Sequence, residues 1–584
     1  MTLWKKVLTG ILVFLLLLIV IIGVLIGTAP GLHLVLNSAA RWVPGLKIQQ
    51  VNGGWKDLTI KGLGYQMPGV SVSGGELHLS LDARCLIHSS VCVNDITLKD
   101  VSVVVDSSKM APSSPSKSED KSSGEISTPY PILLRHVALE NVNVKVDDTA
   151  ISLGSFSTGL NWQGRQLTLT PTRIENLLLA LPKTKTAVAS AATDTVVKTT
   201  GSTAVQNTET KKVSTVTEKV PAQSPADMLN ALFAKPLLNL PEFRLPLDIR
   251  IDEILGEDLR LTGDTDITVN RLQLNAQAID NKVDLQTLRI NAQQGILSAT
   301  GQATLSGDWP LNLTLNSDVN MAPVKGQKVK LVIGGAAKKQ VNLSLNLSGP
   351  VRAQLQAMAQ PAVIGLPFSL HLTSPQLRWP LSGKSEWLVN NLSLATGGKA
   401  TDYTIAFRSS VSGSTIPPAD ISLDGKGNTE HFSLDKLHIG ALQGSADVKA
   451  LVDWTKAISW NSELTLAGIN TAKQYPQWPS RLDGTITTRG SMYGGSWQVS
   501  VPTLLLKGNV KQNAVNVKGS LSGNSYNQWN IPGINVQLGQ NRLDIKGTLD
   551  KKISLDADID ASHLDNALPG LGGVVKGSVK ARGT

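Results

Sequence analysis

From about Ile48 to the end of the chain, apolar and polar residues alternate with a period of two. Leu77, Leu79 and Leu81 alternate with His78 and Ser80, and Val142, Val144 and Val146 alternate with Asn143 and Lys145. The pattern returns at Ile96 to Val103, at Leu167 and Leu169, at Leu272 and Leu274, at Leu311, Leu313 and Leu315, and at Leu343, Leu345 and Leu347. It continues at Leu464 to Leu466, Val515 to Val517, Ile534 to Leu538 and Ile553 to Ile559. Successive side chains of a strand point to opposite faces, so the pattern predicts strands with one apolar and one polar side. Gly349-Pro350, Asp424-Gly425, Asp483-Gly484 and Gly494-Gly495 read as turns between them.

Two segments break this rhythm. Ser107 to Thr128 has 9 Ser in 22 residues, and Lys183 to Gln223 has 11 Thr in 41 residues and no aromatic. Neither can bury enough apolar surface to offset its ordering entropy, so both are expected to be flexible surface insertions. Between Pro225 and Lys235, Met228, Leu229, Leu232 and Phe233 share one helical face. Ser224 is the expected N-cap and Pro225 the first helical residue, giving a short helix that plugs or caps the sheet.

Val7 to Gly27 carries no charged residue. As a helix, these 21 residues would be about 31 Å long, against a bilayer hydrocarbon core of about 30 Å. Trp4, Lys5 and Lys6 precede the segment, which places the N-terminus in the cytoplasm and the bulk of the chain across the membrane. A cleaved signal peptide is the alternative. Its apolar region is shorter, and Pro30 spoils the one small-x-small site, Gly27 and Ala29. The expected organisation is a stub and transmembrane anchor over 1–30, a membrane-proximal helix over 31–47 and sheet over 48–106. An insertion over 107–128, sheet over 129–182, an insertion over 183–223, a short helix over 224–236 and sheet over 237–584 follow.

Cys85 and Cys92 are the only cysteines. Six intervening residues allow a hairpin to join the sulfurs, and a translocated chain meets an oxidising compartment, so a disulfide is expected. A metal site is the alternative; His88 lies between the cysteines, but no second Cys or His cluster supports it. One repeat aligns without gaps at a spacing of 93 residues, Leu466 to Ser491 on Ile559 to Thr584, matching Pro476 to Pro569, Gly484 to Gly577, Arg489 to Arg582 and Gly490 to Gly583. Quasi-repeats of strands favour a solenoid-like architecture. The second copy stops where the pattern calls for more strands, so a longer or truncated protein is expected.

Charge and motifs change the picture little. The net charge is +10, with charged residues at 17% and aromatics at 4%. Lys and Arg are dispersed and no aromatic platform accompanies them, so no nucleic-acid partner is expected; mild attraction to anionic lipid headgroups is. His431 and His438 are seven apart, which places them on opposite faces of an unbroken strand. Gly383-Lys384-Ser385 resembles the end of a phosphate loop, but position 378 is Arg378 rather than Gly. Asp556, Asp558 and Asp560 begin a calcium-loop pattern that fails at Ala561 and Ala567, so they read as a solvated strand face. No catalytic residue, metal or cofactor is expected, and the chain reads as a non-enzyme.

The apolar faces need cover, and few helices are available to supply it. Sandwich domains, closed barrels, or one long sheet curled around its apolar side would each do so. Aromatic cores are scarce and Val, Leu, Ile and Ala dominate, a lining that suits acyl chains. Allowing about 12 residues per strand and turn predicts roughly 40 strands and an extent of about 190 Å. The groove candidates are Val142, Val144, Val146, Leu167, Leu169, Leu311, Leu313, Leu315, Leu343, Leu345 and Leu347, although parity does not say which face is inside.

Trp55 to Val70, followed by Val72, Leu77, Leu79 and the Cys85/Cys92 pair, resembles the N-terminal region of the TamB family. These are AsmA-like inner-membrane subunits of the translocation and assembly module of Gram-negative bacteria. Gly31 to Leu36, Arg41 to Gly45, Thr128 to Pro131 and Asn566 to Gly573 also fit. The resemblance implies an all-β, elongated, curled antiparallel sheet forming a groove, with one N-terminal transmembrane helix in the inner membrane and the bulk in the periplasm. It is similar to bridge-like lipid transfer proteins, which implies phospholipids as cargo, a TamA-like outer-membrane barrel as partner through a C-terminal region absent here, and support of autotransporter assembly. A chaperone-like assembly factor without lipid transfer and an anchored scaffold or adhesin of β-sandwich domains are the alternatives.

Overall fold

The computed structural model describes residues 43–54, 56–82, 84–109, 125–182, 224–563 and 573–583. Their strands form one curled sheet of 31 members. The expected anchor over Val7–Gly27 and the membrane-proximal helix up to Trp42 lie outside the described residues. Among the described residues, no helix is long and apolar enough to cross a membrane.

From Asp248–Thr262 to Val575–Gly583, each strand pairs antiparallel with its successor. Every turn in this meander is short enough to return the chain directly, which is what the alternating pattern with closely spaced breaks requires. Two junctions before it differ. Val91–Val105 pairs parallel with Thr128–Val146. Gln166–Leu169 and Thr172–Ala180 pair parallel with Asp248–Thr262. This corrects the expectation of a wholly antiparallel sheet. Parallel neighbours need a connection that travels back along the strands, a dozen residues or more. The two polar segments, whose central parts lie outside the described residues, fall on these two connections.

Asp424-Gly425 and Asp483-Gly484 are not turns. They lie inside the strands Ala419–Gly427 and Ser480–Tyr493. A Cβ at Gly425 would collide with the Phe432 ring, and one at Gly484 with the backbone of Leu505. Glycine there serves close approach between strands, not chain reversal. Gly494 and Gly495, both at positive φ, do form a turn.

The 93-residue repeat is reproduced as register. Leu466 pairs with Gly484 and Trp460 with Gly490; Ile559 pairs with Gly577 and Ile553 with Gly583.

A row of residues crosses the first strands where the alternation steps by three instead of two. Gly62, Asp100, Asn141, Asn176 and Asp258 all have positive φ. The pairings on either side of this row are regular, so that Lys99 faces Glu140 and Val101 faces Val142. Leu98 and Val101, both about 5% exposed or less, consequently point to the same side. Gly, Asn and Asp tolerate this left-handed conformation best.

Candidate functional site: the apolar side of the sheet

One side of the sheet carries an uninterrupted apolar row. Following the cross-strand partners, Leu315 faces Leu331, then Leu345, Leu355, Leu372 and Leu394 in turn. Upstream, the row reaches Leu288, Leu274 and Ile254 through Ala299. Downstream, it passes Phe407, Leu423, Leu437, Val448, Leu464, Ile486 and Leu504. It crosses Gly519 and ends at Ile534, Ile545, Ala557 and Val579. Several bulges interrupt the ladders, among them one between Asn390 and Ser393, and the row survives them.

The sequence-derived candidates all lie on this side. Leu343, Leu345 and Leu347 face Ile333, Leu331 and Val329. Leu311, Leu313 and Leu315 face Ala303, Gly301 and Ala299. Val142, Val144 and Val146 lie between Val101, Val103 and Val105 on one neighbour and Leu153, Ile151 and Thr149 on the other. Leu167 and Leu169 face Trp162 and Leu160.

The side changes character along its length. At the N-terminal end Leu58, Ile60, Leu77, Leu79, Val93 and Leu98 are 1–8% exposed and form a closed core. Val142 packs against that core. In Val341–Ser348, every apolar residue is half-buried and every polar one exposed. Near the C-terminal end Ile553 is 41% and Val579 56% exposed. The apolar side is therefore closed in the first strands and half-buried along Val341–Ser348.

The polar side is held by cross-strand charge pairs and short amides. Lys61 pairs with Glu76 at 3.5 Å and Lys99 with Glu140 at 2.9 Å. A depression of about 1100 Å³ lies on this side rather than the apolar one, walled by Asn342, Ser344, Gln356, His371, Asp424 and Lys426. Small neighbours such as Ala395 and Ala406 leave that space. A bulge between Leu434 and Leu437 corrects the histidine geometry: His431 and His438 share the polar face. They have separate partners, His431 beside Asn428 and His438 with Asp447 at 2.7 Å. The hydrogen bond to His438 holds the Asp447 carboxyl below the usual carboxylate range, against a smaller opposing effect of burial. Asp556 pairs with Arg582 at 2.6 Å and Asp560 with Lys576 at 3.0 Å, as a solvated strand face. Among the described residues, no group of three His, Cys, Asp or Glu could hold a metal ion.

Cys85 and Cys92 form a disulfide, with Cα atoms 5.8 Å apart. A single helical turn, α1 (Arg84–Ile87), replaces the expected hairpin. The helix expected after Ser224 is α2, Pro225–Phe233, with a capping box between Ser224 and Asp227. Ala226 is buried, whereas Met228 and Leu232 are exposed.

Two features were missed in the sequence. The first is a strap running from α2 to Asp248 along one rim of the sheet. Asn230 Nδ2 donates to Glu430 Oε1 at 3.2 Å, in the turn between the strands Ala419–Gly427 and His431–Ala441. The N–H of Gly365 donates to Phe233 O, Leu238 N–H to Pro361 O, Phe243 N–H to Leu305 O and Leu245 N–H to Asp280 O. Those acceptors and donors are turns at the same end of successive hairpins. Pro236, Pro241 and Pro246, spaced by five, were the available signal for an extended segment. The second is the clustering of aromatic rings along that same rim. Its signal was an aromatic at the start or end of a strand with glycine in a neighbouring strand.

The chain matches the family model described as "TamB, N-terminal domain" over residues 18–584. It is 28% identical to the translocation and assembly module subunit TamB of Haemophilus influenzae over 566 residues, covering 93% of this chain and 41% of that protein. An uncharacterized protein of Buchnera aphidicola subsp. Schizaphis graminum is 19% identical over 99% of this chain and 56% of its own length. Another, from Buchnera aphidicola subsp. Acyrthosiphon pisum, is 22% identical over 100% of this chain and 56% of its own. The chain thus spans about half the length of the curated relatives it matches. No solved structure matches it.

Proposed function

The chain belongs to the family of TamB N-terminal domains, and from that premise we propose that it carries phospholipids along the apolar side of its sheet. In this reading it is anchored in the inner membrane by Val7–Gly27, with the sheet in the periplasm. It supports outer-membrane and autotransporter protein assembly together with a TamA-like barrel. The observation that carries the reading is the apolar row from Ile254 to Val579. An acyl chain needs apolar area without directional contacts, and a row with no polar step offers no barrier to sliding. Headgroups would stay in water, so no catalytic group is needed. Groove contact is assigned to Val142, Val144, Val146, Leu167, Leu169, Leu311, Leu313, Leu315, Leu343, Leu345 and Leu347, with Val142 at the closed end.

A photo-crosslinking residue scanned singly through 341–348 tests this. Lipid adducts are expected at 343, 345 and 347 and not at 342, 344 and 346. Adducts to outer-membrane proteins instead would establish the chaperone-like reading, which the name of the Haemophilus relative, a translocation and assembly module subunit, favours. Lipid adducts at all positions alike, or at none, would sink the groove assignment.

A further inference from the structure

The strap over residues 234–247 joins α2 to the strand Asp248–Thr262 with no helix or strand of its own. Packing is not what holds it. From Ala234 to Arg244 every residue except Leu240 is exposed, Leu237, Leu238 and Phe243 at 38–44% among them. Its fastenings are hydrogen bonds to successive turns of one rim. Leu245 N–H donates to Asp280 O at 2.8 Å, Phe243 N–H to Leu305 O at 3.0 Å and Leu238 N–H to Pro361 O at 3.0 Å. Glu242 accepts from Gly307 N–H at 3.0 Å and pairs with Lys338 at 3.5 Å, which adds the turn between Leu305 and Pro361.

Both ends are anchored. At one, the strap runs directly into a paired strand, and Arg165 closes over the junction. Its Nη2 donates to Leu245 O at 3.1 Å and its Nη1 to Glu125 Oε1 at 2.9 Å. Asp248 N–H donates to Arg165 O at 2.9 Å, and Ile126 N–H to Pro246 O at 2.8 Å. At the other end, Gly365 N–H donates to Phe233 O at 3.1 Å. Asn230 of α2 bonds to Glu430 and Thr429, and Ala226 is 3% exposed.

Between the anchors there is no slack. Seven residues lead from Leu238 to Leu245, and they reach about 25 Å when fully extended. Their acceptors, Pro361 and Asp280, follow the strands Ala353–Ala359 and Ile267–Ile279, six strand positions apart. At about 4.8 Å per strand this span is about 29 Å. Only the hydrogen bonds at the two ends make up the difference. Pro241 lies inside this stretch and Pro236 and Pro246 flank it; a fixed φ keeps such backbone extended and stiff.

The opposite rim has no comparable segment among the described residues. There, Asn320 N–H donates to Gln294 O, Asn470 N–H to Leu442 O and Lys511 N–H to Pro479 O, each from one turn to the next. The strap rim beyond Glu430 is held in the same way, by Trp454 N–H to Glu430 O and Ser525 N–H to Trp497 O.

We propose that the strap is a tension tie, an inextensible segment that limits how far the hairpins along its rim can spread between the turns at Asp280 and Glu430. Strands in this stretch cannot fan apart without breaking the tie's hydrogen bonds, whereas those past Glu430 can. The sheet thus has a stretch of fixed mouth followed by a compliant one. This is a property of the fold and holds for any cargo.

The experiment measures distances by electron–electron double resonance in the full-length, detergent-solubilised protein. The native cysteines are closed in their disulfide, so spin labels attach only at introduced thiols. Lys282→Cys with Asp402→Cys reports the strap rim; Gln293→Cys with Ser414→Cys reports the opposite rim across the same strands. Six Gly-Ser residues inserted between Asn239 and Leu240 lengthen the tie and leave every one of its hydrogen-bonding groups in place. The strap-rim distribution should then broaden and move several ångströms to longer separation, while the opposite rim keeps its distribution. The same six residues inserted ahead of Ser224, outside the tie, should change neither. Asn230→Ala, which releases the far anchor, should broaden the strap-rim distribution in the same direction. An unchanged strap-rim distribution in the lengthened protein would overturn the proposal. So would equal broadening at both rims, or an equal effect of the insertion ahead of Ser224.

Discussion

Leu345 and Ile60 lie on the same side of one sheet, yet a charge should act differently at each. Ile60 is 2% exposed inside the closed core. Ile60→Asp would bury a carboxylate without a partner, at a cost of several kcal/mol, and should unfold the N-terminal strands in a denaturant titration. Leu345 is half-buried between Leu331 and Leu355. Leu345→Asp should leave the circular dichroism spectrum and most of the stability in place while reducing co-purified lipid; global unfolding would mean that the side is closed there too. Gly490→Val should displace the Trp460 ring and cost about 1–3 kcal/mol as overpacking, read by thermal denaturation and tryptophan fluorescence. A charge effect can also be given a sign. Hydrogen bonds from Lys109 and then Ser108 lower the Asp106 carboxyl to about 2. A depressed carboxylate stabilises the folded form above its unfolded value, near 3.9. That contribution disappears as pH falls through about 2. Lys109→Ala should return the Asp106 titration, followed by NMR, toward the ordinary range. The identities of these residues were legible in the sequence, but their exposures were not, because alternation reports parity and says nothing about what lies opposite.

Elements show the same division. Strand existence was legible throughout the alternating stretches, because a period of two has only one regular backbone that matches it. The step at Asp100 and Asn141 was less visible, since a single Asn or Asp within a strand pattern also reads as an ordinary polar position. Its side-chain bond, Asn141 Nδ2 to Asp100 Oδ1 at 2.7 Å, ties two strands at the step. The disulfide was expected, and its short loop should contribute about 2.5 kcal/mol by chain entropy. The strap was invisible because its partners are turn backbones at 280 to 365 and the Glu430 side chain, which no local pattern encodes. Phe243→Pro would remove the donor to Leu305 O. Amide hydrogen exchange should then rise across 237–246 while the strands Pro310–Val319 and Gln327–Ala336 keep their protection. Unchanged exchange in the strap would show that this bond does not hold it.

At the scale of the molecule, the 31 strands replace the expected 40 because many are longer than assumed; Thr128–Val146 has 19 residues. Stacked at about 4.8 Å, with two short pairs sharing a position, they would extend roughly 130–140 Å if the sheet ran straight. Small-angle scattering should therefore give a radius of gyration near 40 Å for such a rod, well above the roughly 25 Å of a compact chain of this length. A value near 25 Å would rule out the elongated form.

The sequence by itself determined that the chain is a succession of strands with one apolar side, and which residues share a side within each unbroken alternating stretch; bulges such as that between Leu434 and Leu437 decide how those stretches join. Both follow from local geometry, since neighbouring residues alone set the period. Tertiary structure decided three other matters: that the apolar side is closed at Leu58–Val101 and half-buried along Val341–Ser348, that two junctions are parallel, and that the strap follows one rim. Each depends on which strand lies beside which and how tightly the sheet curls. Those are long-range relations, set by pairing partners far apart in the chain, and no window of alternating residues contains them.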